Sequence, residues 1–161
     1  MVCADYLPPF DQWLTQLKYG QQLAHAATLA AWLAHSVNAQ AAKRPDVLVP
    51  VPCTAHKLRQ RGYNQAALIA DHLGRLWGLP VEHGCLRKIR DAAPQADLSR
   101  EERQNNLNGV FVCTRPLRAD LRIGLVDDVI TTGATLEQCT RALRKAGARH
   151  IDWFAICRTP E

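Results

Sequence analysis

No Cys-x-x-Cys pair occurs in this chain, although it holds six cysteines: Cys3, Cys53, Cys85, Cys113, Cys139 and Cys157. Scattered spacing of this kind supplies neither a zinc site nor the disulfide framework of a small secreted domain. The thiols therefore read as buried or idle groups in a reducing compartment. Long hydrophobic runs are missing too. The most alanine-rich stretch, Leu23 to Val37, is broken by His25, Thr28 and His35, which excludes a membrane span. No secretory leader is visible, so a cytoplasmic setting is the expectation. There is no internal repeat, no low-complexity tract and no Gly-Lys-[Ser/Thr] run, so nucleoside triphosphate binding through a P-loop is disfavoured. Aromatic residues are few (four Trp, three Tyr, three Phe) and do not interleave with Lys and Arg. That argues against a base-stacking platform for single-stranded nucleic acid. Long blocks of one charge are absent as well. The net charge of +5 suits an anionic ligand without indicating nucleic acid. Basic residues gather in His56 to Arg61 and in Arg87 to Arg103, and the second stretch also carries Asp91, Asp97, Glu101 and Glu102. Either stretch is also compatible with a solvated face.

What is present fits one α/β domain. With 161 residues, 47% of them hydrophobic, a sizeable single core is accessible. Phe10, Trp13, Leu14 and Leu17 share a helical face. After Gly20 a second helix is expected with Leu23, Ala26, Ala27, Ala30 and Leu33 on one side, and Lys43 to Pro45 reads as a linker. Val47 to Val51 predicts a short buried strand, with Pro50 implying an edge or a strand end. Residues 64–77 place Ala67, Ala70, Leu73, Leu76 and Trp77 at helical spacing, and Gly78 stops that helix. Further strands are expected at Pro80 to Leu86, Leu121 to Val126 and Ile151 to Ile156. A helix over 134–146 turns Leu136, Cys139, Leu143 and Ala146 inward. Residues 87–109 lack a core period, and a connection of that length is more often functional than idle. Alternating strands and helices predict a parallel α/β sheet, with ligand at the carboxyl ends of the strands.

The densest chemistry lies in residues 121–135, Leu-Arg-Ile-Gly-Leu-Val-Asp-Asp-Val-Ile-Thr-Thr-Gly-Ala-Thr. An apolar run ends in two adjacent acids, and a cluster of threonines and a glycine follows. Asp127 and Asp128 can accept hydrogen bonds from vicinal hydroxyls. Thr131, Thr132, Gly133 and Thr135 offer hydroxyl and backbone N–H donors to a phosphate at a helix start. Each part has a plainer reading: solvent-facing turn acids, magnesium ligands, or a threonine N-cap. In this order and at this spacing, the combination favours a grip on a phosphorylated sugar.

Ile-Gly-Leu-Val-Asp-Asp-Val-Ile-Thr-Thr-Gly-Ala-Thr resembles the phosphoribosyl pyrophosphate (PRPP) loop of type I phosphoribosyltransferases. Other stretches resemble the ComF/GntX group of such proteins, some of which are linked to DNA uptake in competent bacteria. They are Leu17-Lys18-Tyr19, Val49-Pro50-Val51-Pro52, Arg61-Gly62-Tyr63-Asn64-Gln65, Pro94-Gln95, Arg103, Asn106, Phe111 and Cys157-Arg158-Thr159. Members of that group usually carry an amino-terminal cysteine-rich zinc module, which this sequence does not show. The resemblance implies a Rossmann-like parallel sheet with helices on both faces and a small hood. All of 1–161 would form one domain, with 1–44 as the amino-terminal helices and hood and 45–161 as the core. It implies that Asp127 and Asp128 hold the ribose hydroxyls, and that Thr131, Thr132, Gly133, Ala134 and Thr135 wrap the 5′-phosphate. Mg2+ would arrive on PRPP with no direct protein ligand.

The same resemblance makes Pro52, Cys53, Thr54, Lys57 and Arg61 the pyrophosphate loop. The fork of Arg61 could pair with phosphate oxygens or with a helix end, His56 reads as a surface residue, and Asn64 and Gln65 could simply cap the following helix. Residues 87–109 would be a lid that excludes water, with Arg87, Gln95, Arg103 and Asn106 reaching across. The implied reaction is transfer of the 5-phosphoribosyl group from PRPP to an unidentified nitrogenous acceptor. The rival expectations are a non-catalytic PRPP-binding regulator and a competence accessory that binds DNA or protein.

Overall fold

The structure, a computed structural model, describes residues 1–39, 43–89 and 110–160. Its elements follow in the order β1 (Val2–Asp5), α1 (Phe10–Tyr19), α2 (Ala24–Ala39), β2 (Val47–Pro50), α3 (Ala55–Arg61), α4 (Gln65–Trp77), β3 (Leu86–Lys88), β4 (Phe111–Cys113), β5 (Arg122–Ile130), α5 (Ala134–Lys145) and β6 (His150–Arg158). Four of the strands form a parallel sheet in the order β1-β6-β5-β2. β3 and β4 make a separate antiparallel ribbon. No described helix is long and apolar enough to cross a membrane.

Parallel strands covered on both faces are apolar throughout. Val47-Leu48-Val49-Pro50 is buried at every position, and Ile123 to Val126 of β5 likewise. On one face α1, α2 and α4 bring Leu14, Leu17, Leu29, Leu33, Ile69 and Leu73 against Leu48, Val126, Phe154 and Ile156. On the other face α5 and the ribbon bring Leu136, Cys139, Leu143, Leu86 and Phe111 against Val47, Val49, Ile123 and Leu125. Each large side chain fully withdrawn from water contributes roughly 1.5–3 kcal/mol, so these two layers hold the sheet. The first 39 residues thus supply an edge strand and two core helices, and the end of α1 also overhangs the strand ends.

Several expectations need correction. β1 was not anticipated, because four residues with no alternation carry no strand signal by themselves. β5 does not stop at Val126 but runs to Ile130, so the acids lie within the strand. Pro80 to Leu86 is not a strand: Val81 makes a single bridge to Leu48, and the strand starts only at Leu86. In that bridge Leu48 N–H donates to Pro80 at 3.0 Å, and Glu82 N–H donates to Leu48 at 2.8 Å. Because Leu48 N–H faces outward, Pro50 two residues on lacks an N–H only on that outer edge. Pro50 therefore ends an edge strand, as expected. In α2 the inward face is Ala26, Leu29, Ala30, Leu33, Ala34 and Val37, while Leu23 and Ala27 are exposed. Alanine on every side leaves the phase of a helix undetermined, and the partner helix α4 sets it. In α4, Ala70, Leu73 and Trp77 lie inward as expected, but Ile69 completes that face and Leu76 is 56% exposed. Gly78 does end α4, in the left-handed conformation (φ 67°).

Gly124 shows how tightly the sheet is covered. A Cβ at that position would lie 2.8 Å from Leu48 Cδ2, 2.8 Å from Pro45 Cγ and 3.0 Å from Phe154 Cε2. Gly124→Val should therefore destabilise the fold by about 1–3 kcal/mol, the range for overpacked cores. The measurement is the urea midpoint at unchanged slope, and an unaltered midpoint would refute the close packing described.

Candidate functional site

β2 and β5 lie side by side, and their carboxyl ends open into a cleft of about 340 Å³. Asp127 and Asp128 face it from β5. Asp127 Oδ1 accepts the backbone N–H of Asp128 at 2.8 Å, and Asp128 Oδ1 accepts that of Val129 at 2.8 Å. Both carboxylates are therefore held close to their own backbone, with the second oxygen left for other partners. For Asp128 that oxygen already meets Lys18 Nζ at 2.7 Å, from the last turn of α1. Burial pushes the Asp127 carboxyl well above the usual carboxylate range. The adjacent Asp128 charge adds to the shift, and Lys18 opposes it.

Beyond β5 the chain turns into α5. Gly133 precedes the helix in the left-handed conformation (φ 77°), which side-chain-bearing residues rarely adopt. Thr132 Oγ1 accepts the Ala134 N–H at 3.4 Å. Thr131, Thr132 and Thr135 are exposed, and Thr135 lines the cleft. A cluster of hydroxyls and free N–H groups thus stands at the positive end of a twelve-residue helix.

The opposite wall is the loop after β2. Pro52, Cys53, Thr54, Lys57 and Arg61 all line the cleft. Thr54 caps α3, its hydroxyl accepting the Lys57 N–H at 3.1 Å. Burial pushes the Cys53 thiol up, against the pull of Arg61, Lys57 and Lys88. Three cations therefore converge on this loop. Arg61 lies 4.8 Å from the Tyr19 ring centre, a cation–π contact in place of the helix-end pairing considered above. Tyr63 ties the region to α1 by donating its hydroxyl to the Leu17 carbonyl. Asn64 caps α4 as expected, accepting the Ala66 N–H at 3.2 Å, and its amide donates to the Val51 carbonyl at 2.9 Å.

Of the expected lid residues, Arg87 is exposed on β3 and is not among the cleft-lining side chains, whereas Lys88 is. Gln95, Arg103 and Asn106 lie outside the described residues. Among the described residues no three His, Cys, Asp or Glu side chains converge as metal ligands. The cysteines are free thiols, and burial pushes Cys3 up to about 11 and Cys157 up to about 12. Sequence reasoning gave no site role to Lys18 or Tyr19 and read Gln65 only as a helix cap, yet all three line the cleft. Leu17-Lys18-Tyr19 stood out as a resemblance, but nothing local connects a helix end to acids more than a hundred residues away.

Residues 15–161 match the phosphoribosyl transferase domain. The chain belongs to that family, within its ComF/GntX group. It is 31% identical to the DNA utilization protein YhgH of Salmonella typhimurium over 97% of this chain and 70% of that one. It is 30% identical to competence protein F of Haemophilus influenzae over 98% of this chain and 72% of that one. Among solved structures, the glutamine PRPP amidotransferase from B. subtilis complexed with ADP and GMP shares the fold. There the TM-score is 0.53 at 24% identity, over 80% of this chain and 25% of that one.

In this phosphoribosyl transferase domain the raised Asp127 makes stability depend on pH. A carboxyl whose folded pKa exceeds its unfolded value disfavours the fold once ionised. Its penalty is absent below the ordinary carboxylate range and grows as pH rises through the folded value. Asp127→Asn should therefore melt a few degrees above the parent at pH 8, a gain of about 1–2 kcal/mol, and the difference should vanish near pH 3. Calorimetric melts across pH check this, and equal melting at pH 8 would contradict the assigned burial. Lys18→Met should widen the penalty, since it removes the opposing charge.

Proposed function

We propose that this domain binds PRPP with Mg2+ and transfers its 5-phosphoribosyl group to a nitrogenous acceptor. The observation that carries this reading is the polarity of the cleft. Two carboxylates stand at one side, and Lys57, Arg61 and Lys88 at the other, with the start of α5 adjoining. That division matches a ligand with hydroxyls in the middle, a diphosphate at C1 and a phosphate at C5. In the proposed step the acceptor nitrogen forms a bond to ribose C1 as the bond from C1 to the pyrophosphate oxygen breaks, and its electron pair leaves with pyrophosphate. Positive charge grows on the ring and negative charge on the leaving group. Asp127 and Asp128 hold the hydroxyls and favour the ring cation, while the cationic wall favours the departing oxyanion. Thr131 to Thr135 receive the 5′-phosphate. Mg2+ would neutralise diphosphate charge, and the carboxylate oxygens of the acidic pair suit a hard cation's hydration shell.

The names of the relatives, DNA utilization and competence, support a role in DNA uptake. A second reading, PRPP binding without turnover in a regulator or a competence accessory with DNA or protein partners, is favoured by the Lys18–Asp128 pair. That pair keeps one sugar-facing carboxylate already engaged.

Calorimetry with magnesium PRPP should show binding that Asp128→Asn weakens about 10- to 100-fold, the worth of a hydrogen bond to a charged group. Unchanged affinity in a folded variant would remove Asp128 from the ribose site. Pyrophosphate release with a panel of nitrogenous bases separates the two readings: turnover supports transfer, and binding without release supports the regulator.

A further inference from the structure

Two residues that line the cleft carry buried donors; the scheme above uses only the charge of Arg61 and gives Gln65 no part. Gln65, the first residue of α4, is only 4% exposed and lines the cleft, and its Nε2 is buried with no hydrogen-bond partner among the described residues. Arg61 Nε, four residues earlier and on the same wall, is buried and unpartnered in the same way. An unsatisfied buried donor is destabilising, and an apolar side chain of similar volume would remove the penalty. Folding therefore does not explain a glutamine here.

The chemistry of the wall selects the ligand. Both orphan groups are donors, and Lys57 and Lys88 line the same cleft, their charges acting on Cys53 of the loop that leads to Arg61. Gln65 and Ala66 also bring the positive end of thirteen-residue α4 to the cleft. A nitrogenous ring would present both donors and acceptors, whereas an ionised diphosphate presents acceptors alone. Asn64 fixes the position by bonding both the start of α4 and the Val51 carbonyl, and the Tyr19 ring supports the Arg61 guanidinium.

We propose that Gln65 and Arg61 donate to the diphosphate arm of the sugar ligand, making the junction of α3 and α4 a wall of the diphosphate site. The proposal rests on the PRPP reading and adds Gln65, beyond the loop that ends at Arg61. It assigns the leaving group to α4 and leaves the 5′-phosphate to α5, so two helix starts divide the two phosphoryl ends.

The test is calorimetry of the full chain with magnesium pyrophosphate, magnesium PRPP and ribose 5-phosphate, for the parent, Gln65→Leu and Gln65→Glu. Gln65→Leu should lose about 10- to 100-fold for pyrophosphate and PRPP, keep parental affinity for ribose 5-phosphate, and melt no lower than the parent. Gln65→Glu should lose more, because a carboxylate meets the diphosphate. If Gln65→Leu fails to fold, Gln65→Met, unbranched like glutamine, carries the same comparison. Parental affinity for pyrophosphate in the folded Leu or Met variant would overturn the proposal alone. An equal loss for ribose 5-phosphate would overturn it too, since the cleft as a whole would then be disturbed. A parent chain that binds none of the three would overturn the PRPP reading and this proposal together.

Discussion

A partly buried carboxyl beside a second carboxyl is the constraint around which this domain is arranged. Strand β5 carries Asp127 and Asp128 to the end of the sheet, where water is scarce and like charges are adjacent. Among the described residues, local backbone N–H groups and one lysine from another element offset the repulsion. Such an arrangement is unfavourable for folding alone, and its persistence points to a ligand that brings hydroxyl donors or a cation. Lys18 is the compensating group, and its position links the amino-terminal helices to the site.

The remaining architecture keeps that pair in place. Burial of β5 between two helical layers fixes the strand, and Gly124 lets Leu48, Pro45 and Phe154 close over it. Polarity then follows from topology. In a parallel sheet the segments after neighbouring strands emerge at the same end, so the loop after β2 and the turn after β5 face one another. One carries Lys57 and Arg61, the other threonines and a helix start. A cleft lined by an acidic pair on β5 and by cations of the facing loop results.

Much of this was legible without coordinates. The order strand, acid pair, threonine–glycine turn, helix is a local pattern, and the geometry of 127–135 depends on neighbours in the chain. The loop from Pro52 to Lys57 was legible for the same reason, and so were the caps at Asn64 and Gly78. Other features were not. Leu76 was expected inward and Ile69 was left out because two apolar stripes on α4 differ little in spacing, and contact with α2 and the sheet chose between them. β1 escaped notice because its strand character comes wholly from pairing with β6. Gln65 read as a cap residue, and only its burial without a partner gives it another meaning.

The ligand chemistry proposed above is suggested by the sequence alone: two acids for hydroxyls, threonines and glycine for a phosphate, arginine and lysine for an anion. Those are properties of residue types at short spacing, and short spacing survives any tertiary arrangement. Only the folded chain decided which distant groups meet them. Lys18 reaches Asp128 because α1 packs across the strand ends, and Arg61 rests on Tyr19 because Tyr63 anchors α3–α4 to α1. Contacts between residues so far apart in sequence arise from sheet order and layer packing, which no local pattern encodes.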